Sequence, residues 1–265
     1  MMKQYSNNPA LQDLAEGVMA WRLWLRFGWH DIIARYRRSW AGPLWLSTTT
    51  AVFVLALAFV YSTLFKVSLT EFLPYIAVGT VVWNYISAVC SESVMTFVES
   101  EVYIRQVRRS LFVYVFRVMW RNIIVFANQF VVALVVVLFF SSVSFYHLFA
   151  AAIGVFALFL QAFWIVPLVG MVGARFRDLQ PIIQSVLQVC FFVTPVIWPA
   201  KLLVDKEWVA LVNPFHHLID LVRAPLLGSE PALQSYVAVA LMTVVGLTVA
   251  YLFYDRFRSR IIYWL

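Results

Sequence analysis

The sequence predicts an all-α integral membrane protein with six transmembrane helices. Hydrophobic residues make up 63% of its 265 residues and charged residues 12%, about half the charged share of a soluble domain. The apolar residues fall into runs long enough for a helix to cross roughly 30 Å of hydrocarbon. These runs lack the alternation of a membrane β-strand, and in lipid each backbone N–H and C=O must pair internally. Helices are therefore predicted for every run.

Six runs are predicted to cross the membrane, and the segments 1–43 and 254–265 are predicted to lie outside it. The six are 44–64, 73–98, 118–140, 148–172, 182–198 and 237–253. Between the last two, the apolar pieces are too short to cross and are broken by prolines. A re-entrant segment that dips into the outer leaflet is predicted there, which favours an exit gate.

Basic residues give the predicted orientation. Sixteen of the twenty lysines and arginines lie on the side that six spans assign to both termini. Because cytoplasmic loops are rich in Lys and Arg, that side is predicted to be the cytoplasm. The other four are Lys66, Lys201, Lys206 and Arg223. The net charge of +7 thus indicates topology and attraction to anionic lipid headgroups, not a nucleic-acid surface.

An amphipathic helix is predicted before the first span, lying along the membrane interface. Its apolar face comprises Val18, Trp21, Leu25, Trp29 and Ile32, and the residues beside that face are Arg22, Arg26 and His30. Tryptophan is typical of the headgroup region. The pattern leaves open whether this helix only anchors the chain or also docks a partner.

A second cytoplasmic helix is predicted over 99–121, where Glu101 is placed to pair with Arg105 at i,i+4. Arg175 and Asp178 are three residues apart and predict another pair at the start of the fifth span. Both pairs are equally compatible with a solvated charged surface.

The sequence contains no P-loop, because none of its four lysines lies in a Gly-Lys-Ser or Gly-Lys-Thr sequence. The chain is therefore predicted not to hydrolyse ATP and to bind no cofactor. The four histidines and two cysteines lack metal-ligand spacing, so no metal site is predicted. Glu92 is the one carboxylate well inside a predicted span, without a basic partner in any span. It indicates a wet cytoplasmic vestibule or, alternatively, a proton-coupled carrier.

Aromatic residues make up 17% of the chain, more than interface belts alone require. Two groups are candidate channel lining, because sugar rings present C–H faces that pack on aromatic faces. They are Tyr75, Trp83 and Tyr85 in the second span and Phe191, Phe192 and Trp198 in the fifth. Lipid contact and interface belts are the alternative for each one.

Three motifs in order resemble the transmembrane subunits of ABC-2 type exporters of O-antigen, capsular polysaccharide and teichoic acid. The first is the stretch 35–45, RYRRSWAGPLW, in which Ala41 replaces the usual leucine; Thr49 and Thr50 stand where many members have proline. The second runs from Arg177-Asp178-Leu179 through Leu187-Gln188 and Phe191-Phe192 to Thr194-Pro195 and Trp198-Pro199. The third comprises Asn213-Pro214, Arg223 and Leu226-Leu227-Gly228.

This resemblance implies a single ABC-2 type transmembrane domain over 1–265 in the bacterial inner membrane. Members pair two copies of such a chain with two cytoplasmic ABC ATPase subunits that bind ATP and Mg. It implies a homodimer that exports undecaprenyl-linked polysaccharide, with O-antigen first and capsule or teichoic acid second. A small-molecule exporter of the same superfamily and a proton-coupled carrier that uses Glu92 remain the alternatives.

The resemblance also implies roles for particular surfaces. Residues expected to couple to the ATPase or gate the inner mouth are Glu101, Arg105, Arg108, Arg109, Arg175, Arg177 and Asp178. The interfacial helix, with Trp21, Arg22, Arg26 and Trp29, is expected to meet the ATPase as well. Asn213, Pro214 and Arg223 belong to the expected exit segment.

Overall fold

The structure is a computed structural model that describes residues 9–37, 39, 42, 44–107, 109–141, 143–200 and 208–265. Every regular element within these ranges is a helix. In chain order the α-helices are α1 (Pro9–Met19), α2 (Trp21–Tyr36), α3 (Leu44–Phe65), α4 (Leu69–Ser93), α5 (Glu101–Gln106), α6 (Phe112–Phe140), α7 (Phe145–Arg175), α8 (Leu179–Val193), α9 (Trp208–Val212), α10 (Pro214–Leu226), α11 (Leu233–Phe257) and α12 (Ile261–Trp264). A 3-10 turn, Arg258–Arg260, joins the last two.

Five helical segments among the described residues are long and apolar enough to cross a membrane: α3, α4, α6, α7 and Leu233–Trp264. They correspond to five of the six predicted spans and confirm an all-helical, membrane-embedded architecture. The other predicted span, 182–198, falls on α8, which has 15 residues and ends at Val193. A proline disfavours helical geometry at the residue before it, and Thr194, which precedes Pro195, is extended. Alone, α8 is about 22 Å long, shorter than the hydrocarbon core.

The prediction of one cytoplasmic helix over 99–121 is wrong, because the structure has two helices there. Here α5 ends at Gln106, Val107 adopts extended angles (φ −126°, ψ 118°), and α6 begins only at Phe112. The Ser110 hydroxyl accepts a hydrogen bond from the Phe112 backbone N–H at 3.1 Å, which competes with helix continuation. The later part of the predicted loop therefore forms the first turns of a membrane helix.

The central helix of the fold is α4. Fifteen of its 25 residues are buried, and it contacts α3, α6, α7, α8 and α10. By contrast, α3 buries residues on one side only, at a spacing of four: Thr50, Val54, Ala58 and Ser62. Most of the other residues of α3 are exposed, and most of those are apolar, as expected of a helix that faces lipid. Helix α4 thus forms the interior against which the other membrane helices are placed.

Helix α10 lies against α7 at a close backbone approach. A Cβ atom added to Gly154 of α7 would come 2.2 Å from the carbonyl oxygen of Leu221. Small residues at such crossings are typical of membrane helices, whose association depends on close packing. This contact holds the segment between α8 and α11 against the helix bundle.

Candidate transport pathway

An open groove runs between α4 and α8, with Phe53 of α3 at its edge and a volume of about 460 Å³. Polar and aromatic side chains line it together. The polar residues are Asn84, Ser87 and Ser91 on α4 and Gln184 and Gln188 on α8; the rings are Phe53, Trp83, Phe191 and Phe192. Polar side chains in a membrane helix are costly against lipid and usually face a bundle interior or water. The groove is therefore the surface best suited to polar cargo.

Helix periodicity places these polar residues on two facing stripes. Asn84, Ser87 and Ser91 are spaced by three and four residues along α4, and Gln184 and Gln188 by four along α8. Leu187 is the only buried residue of α8, so most of that helix is free of the rest of the chain. The groove wall formed by α8 is thus loosely held, whereas the wall formed by α4 is central.

The candidate channel aromatics separate into different environments. The Trp83 ring, 5% exposed, lies 5.7 Å from the Phe191 ring and 5.5 Å from the Phe215 ring, at the base of the groove. Phe192 is 60% exposed. Tyr85 lies elsewhere: its ring packs inside the protein, 5.3 Å from the Phe126 ring. The side chains at positions 83 and 85 leave α4 about 200° apart, so only Trp83 reaches the groove.

Tyr75 and Trp198 lie outside the groove, in a cluster with Arg223. The Tyr75 hydroxyl donates to the carbonyl oxygen of Trp198 at 2.9 Å. Arg223 is 5% exposed; its Nη1 donates to the Pro195 carbonyl oxygen at 2.8 Å, and its guanidinium lies 4.0 Å from the Tyr75 ring centroid. A buried cation requires such partners to offset its desolvation. We call Tyr75, Pro195, Trp198 and Arg223 the outer cluster.

Asn213 and Pro214 begin α10 and connect it to the same region. The Asn213 side-chain oxygen caps α10 by accepting from the Phe215 N–H at 3.0 Å. Its amide nitrogen donates to the Thr194 hydroxyl at 2.9 Å. Pro214 occupies the first helical position, where a missing N–H costs nothing. The Thr-Pro motif after α8 and the Asn-Pro and Arg223 motif of α10 therefore meet in space.

Helix α2 packs against α6 through Trp24 and Gly28, which are not part of the predicted apolar face. Of that predicted face Ile32 is buried, whereas Trp21 and Trp29 are 50% and 53% exposed. The two exposed tryptophans remain available to the membrane interface or to a partner. Arg22, whose guanidinium lies 5.3 Å from the Trp21 ring, and Arg26 are exposed on the polar side.

The predicted pair on α5 is confirmed: Arg105 Nε lies 2.9 Å from Glu101 Oε1. Both side chains are partly exposed, so the pair stabilises the helix by only about 0.3–0.5 kcal/mol. Arg109 is exposed in the connection to α6. Arg108 lies outside the described residues, as do Lys3, Lys201, Lys206 and positions 38, 40, 41 and 43 of the first motif.

Arg175 and Asp178 form no ion pair among the described residues, contrary to the sequence prediction. Helix α7 ends at Arg175, and Phe176 is extended, so the i,i+3 relation is lost. The Arg175 guanidinium instead lies 5.4 Å from the ring of Phe176 and 5.4 Å from that of Trp264. Asp178 begins α8, and Arg177 is exposed beside it.

Glu92 has basic partners, which the sequence did not predict. Its Oε2 accepts from Arg121 Nε at 3.0 Å and Asn122 Nδ2 at 2.9 Å, and its Oε1 accepts from Arg35 Nη2 at 3.2 Å. Arg121 lies 29 positions away in sequence and Arg35 lies 57, on other helices, so no local pattern reveals them. These contacts favour a structural role for Glu92 over proton coupling.

Asp31 extends this arrangement to a five-residue ion cluster. It accepts two hydrogen bonds from Arg117, at 2.6 and 2.7 Å, and lies 3.3 Å from Arg121 Nη1. Arg121 therefore bridges Asp31 of α2 and Glu92 of α4. We use the term ion cluster for Asp31, Arg35, Glu92, Arg117 and Arg121. Arg121 is buried and the other four side chains are partly exposed, so removal of one partner should cost less than the about 3–5 kcal/mol of a fully buried pair.

The N-terminal helix α1 is tied to the residues before α6 and to the end of α11. The Tyr254 hydroxyl donates to the Asp13 carboxylate, and the Ser110 hydroxyl donates to the Asp13 carbonyl oxygen at 2.6 Å. Burial raises the pKa of the Asp13 carboxyl group, and hydrogen bonds from Tyr254 and Ser110 oppose that rise. Helix α1 is thus packed against the helix bundle.

The profile of the ABC-2 type transporter family matches residues 22–227, which include α2, the groove, the ion cluster and the outer cluster. The chain belongs to the ABC-2 type transporter family. Membership confirms the resemblance and implies a multi-pass permease of the inner membrane that works with a separate ABC ATPase. ABC-2 permease subunits are generally not enzymes themselves.

Curated relatives resemble this chain in sequence at low identity. Two O-antigen export system permease proteins RfbA of Klebsiella pneumoniae are 21% identical over 248 residues and 20% identical over 231 residues; each alignment covers 83% of this chain and 87% of the relative. The protein of the same name from Myxococcus xanthus is 22% identical over 194 residues, which cover 73% of this chain and 75% of that protein. The names of these relatives describe permeases for O-antigen export.

Proposed function

We propose that this chain is the channel-forming subunit of an ATP-driven exporter that moves undecaprenyl-linked polysaccharide, with O-antigen of lipopolysaccharide as the first candidate. The observation that carries the proposal is the groove between α4 and α8, where amides, hydroxyls and aromatic rings share one surface. A glycan presents hydroxyl groups and C–H faces together, and this lining matches both. The names of the relatives support the cargo.

Two copies are proposed to face each other through α3 and α8, so that two grooves enclose one channel. The exposed surface of α8 supports this arrangement, since only Leu187 of its 15 residues is buried and the helix has few contacts within its own chain. In the proposed topology α8 and the segment after it complete a sixth crossing, α9 and α10 form the re-entrant segment, and both termini lie in the cytoplasm. The excess of basic residues on that side supports the orientation.

The cytoplasmic ATPase is proposed to bind the exposed faces of α2 and α5. Both helices present arginine side chains away from the bundle, at Arg22, Arg26 and Arg105. The residues around 175–178 are proposed to lie at the inner mouth beside them. ATP and Mg would be bound by that partner and not by this chain.

The test is transport into sealed vesicles that contain this chain, its ATPase and lipid-linked O-antigen. The expected result is ATP-dependent transfer that persists when a proton uncoupler is added. Gln188→Leu removes a polar group from the groove and is expected to lower transfer at least tenfold. Val131→Leu, at an exposed position of α6 outside the groove lining, is the control and should retain transfer.

Three outcomes would contradict parts of this proposal. Loss of transfer on uncoupling, with ATP abundant, would refute ATP drive and support a proton-coupled carrier. Transfer of a capsular or teichoic acid precursor in place of O-antigen would reassign the cargo. Transfer of an apolar dye without any glycan would support a small-molecule exporter.

A further inference from the structure

The cytoplasmic helix α2 is joined to α6 by a close apolar contact. A Cβ atom on Gly28 would lie 2.9 Å from the Trp120 ring and 3.1 Å from the Arg117 carbonyl oxygen, so only glycine permits this approach. The Trp24 ring lies 5.6 Å from the Phe116 ring. Helix α2 is therefore packed on α6 by its own side chains, in addition to any hold from the lipid surface.

The ion cluster joins the same two helices to α4. Arg121 of α6 has a side chain 8% exposed and lies 2.9 Å from Glu92 of α4 and 3.3 Å from Asp31 of α2. A planar guanidinium with several donors holds two carboxylates in fixed directions, which an ammonium group cannot do. Breaking either contact would leave a charge shielded from water without its partner. Movement of α2, α4 and α6 relative to one another would break a contact of Arg121, so this residue opposes it.

The two walls of the groove differ in how they are held. Glu92 follows Ser91 on α4, so the ion cluster lies at the cytoplasmic end of that wall. The other wall, α8, buries only Leu187. A force applied to α2 would therefore reach α4 directly, whereas few contacts would carry it to α8.

We infer that α2, α4 and α6 move as one rigid body joined by Arg121, a positioning residue, so that displacement of α2 by the ATPase moves the α4 wall of the groove relative to α8. The rigid body follows from the contacts alone. Its use in opening the groove rests on the proposed function. The coupling needs a difference in free energy between two arrangements, and ATP-driven closure of the partner is the source.

The test measures distances between spin labels in the chain assembled with its ATPase in lipid nanodiscs. Cys90 and Cys190 are replaced by serine, and labels are attached at Ile33→Cys with Glu71→Cys, for α2 and α4, or at Glu71→Cys with Val186→Cys, for α4 and α8. All three label sites are exposed. Labelled chain is diluted with unlabelled chain so that distances within one copy dominate.

Between nucleotide-free and ATP-trapped states, the α2–α4 distance is expected to stay constant and the α4–α8 distance to change. In Arg121→Gln, the distribution of α2–α4 distances should broaden or shift with nucleotide. Arg121→Lys should show a smaller change than Arg121→Gln. Glu92→Gln, which leaves Arg121 facing Asp31, is the second variant. Arg256→Gln, at an exposed position of α11 outside the ion cluster, is the matched control and should leave the α2–α4 distance constant.

A wild-type α2–α4 distance that changes as much as the α4–α8 distance would overturn the rigid body. The same conclusion would follow if neither Arg121→Gln nor Glu92→Gln affected the α2–α4 distance. A constant α4–α8 distance would overturn the movement of the groove wall. If the expected distances are found but vesicles transfer no glycan, the rigid body stands and the proposed cargo fails. If vesicles transfer glycan but the distances contradict the expectation, the proposed cargo stands and the rigid body fails.

Discussion

The guanidinium group of Arg223 lies 4.0 Å from the centroid of the Tyr75 ring while its Nη1 donates to the Pro195 carbonyl oxygen at 2.8 Å. One side chain of α10 thereby joins α4 to the segment that ends α8. A Cβ atom on Gly79 would lie 2.7 Å from the carbonyl oxygen of Val196, so α4 and this segment also approach closely. The part of α4 that carries Tyr75 and Gly79 is therefore held by contacts from three parts of the chain.

Replacing Arg223 by lysine should weaken the contacts of the outer cluster. Lysine keeps the charge but loses the planar stack and the fork of donors, at an expected cost of about 1–2 kcal/mol. Thermal unfolding in nanodiscs measures that loss, and glycan transfer should fall while the ATPase still co-purifies. Arg256→Lys, at an exposed position of α11, is the control. Normal transfer by Arg223→Lys would contradict a role in the exit segment.

The Tyr75 hydroxyl should contribute less than the ring. Tyr75→Phe removes the donor to Trp198 but keeps the surface on which Arg223 stacks, so a loss of about 1 kcal/mol is expected. Tyr75→Leu removes both and should cost more. Unfolding temperatures of the two variants, compared under one condition, measure the difference. Equal losses would show that the stacking contributes nothing.

Gly154→Ala should destabilise the contact of α7 with α10. The added methyl group would meet the backbone of Leu221 at 2.2 Å, and backbone cannot turn aside as a flexible side chain does. The expected loss is about 1–3 kcal/mol. Ala152→Val adds bulk at an exposed position of the same helix and should have little effect. Unfolding of both variants in the same lipid is the measurement.

Reversal of charge on α5 should uncouple ATP hydrolysis from export. Arg105→Glu places a carboxylate one turn from Glu101 and inverts the surface proposed to meet the ATPase, and Arg108→Glu extends the change. Insertion and unfolding temperature should change little, because the pair is exposed. The measurement is the ratio of ATP hydrolysed to glycan transferred. An unchanged ratio would remove α5 from the coupling surface.

Stability should depend on pH through Asp13. Its raised pKa means that the folded protein binds this proton more readily than the unfolded chain, so the stabilisation is present below the ordinary carboxyl pKa and is lost as pH rises through the folded pKa. Asp13→Asn mimics the protonated group and should reduce that loss. Unfolding temperatures between about pH 4 and pH 8 test it. Asp255→Asn, at an exposed position, is the control and should follow the wild type.

The helical, membrane-embedded fold was predictable because lipid leaves a backbone few solutions. Five predicted spans correspond to long helices for that reason, and the Glu101 and Arg105 pair was predictable because both residues lie on one helix. The Arg175 and Asp178 pair failed because Phe176 breaks the helix between them. Local spacing predicts contacts only where one helix is continuous.

The outer cluster was half predicted. Its motifs were recognised separately, since Thr194-Pro195 and Asn213-Pro214 each show a local helix boundary. Their meeting was not, because it depends on how α10 folds back along α4 and α7. Tyr85 shows the same limit. It was grouped with Trp83 by composition, and the turn of α4 places the two side chains on different faces.

The sequence by itself determined that this chain resides in a membrane and that it is helical. Those properties follow from composition and run length, which are sums over local residues. Only the tertiary structure decided that Glu92 is held by Arg121 and Arg35, and which polar residues share the groove. Helices distant in sequence must pack before such pairs form, and the packing places Glu92 in a cluster of charges instead of leaving it a lone acid.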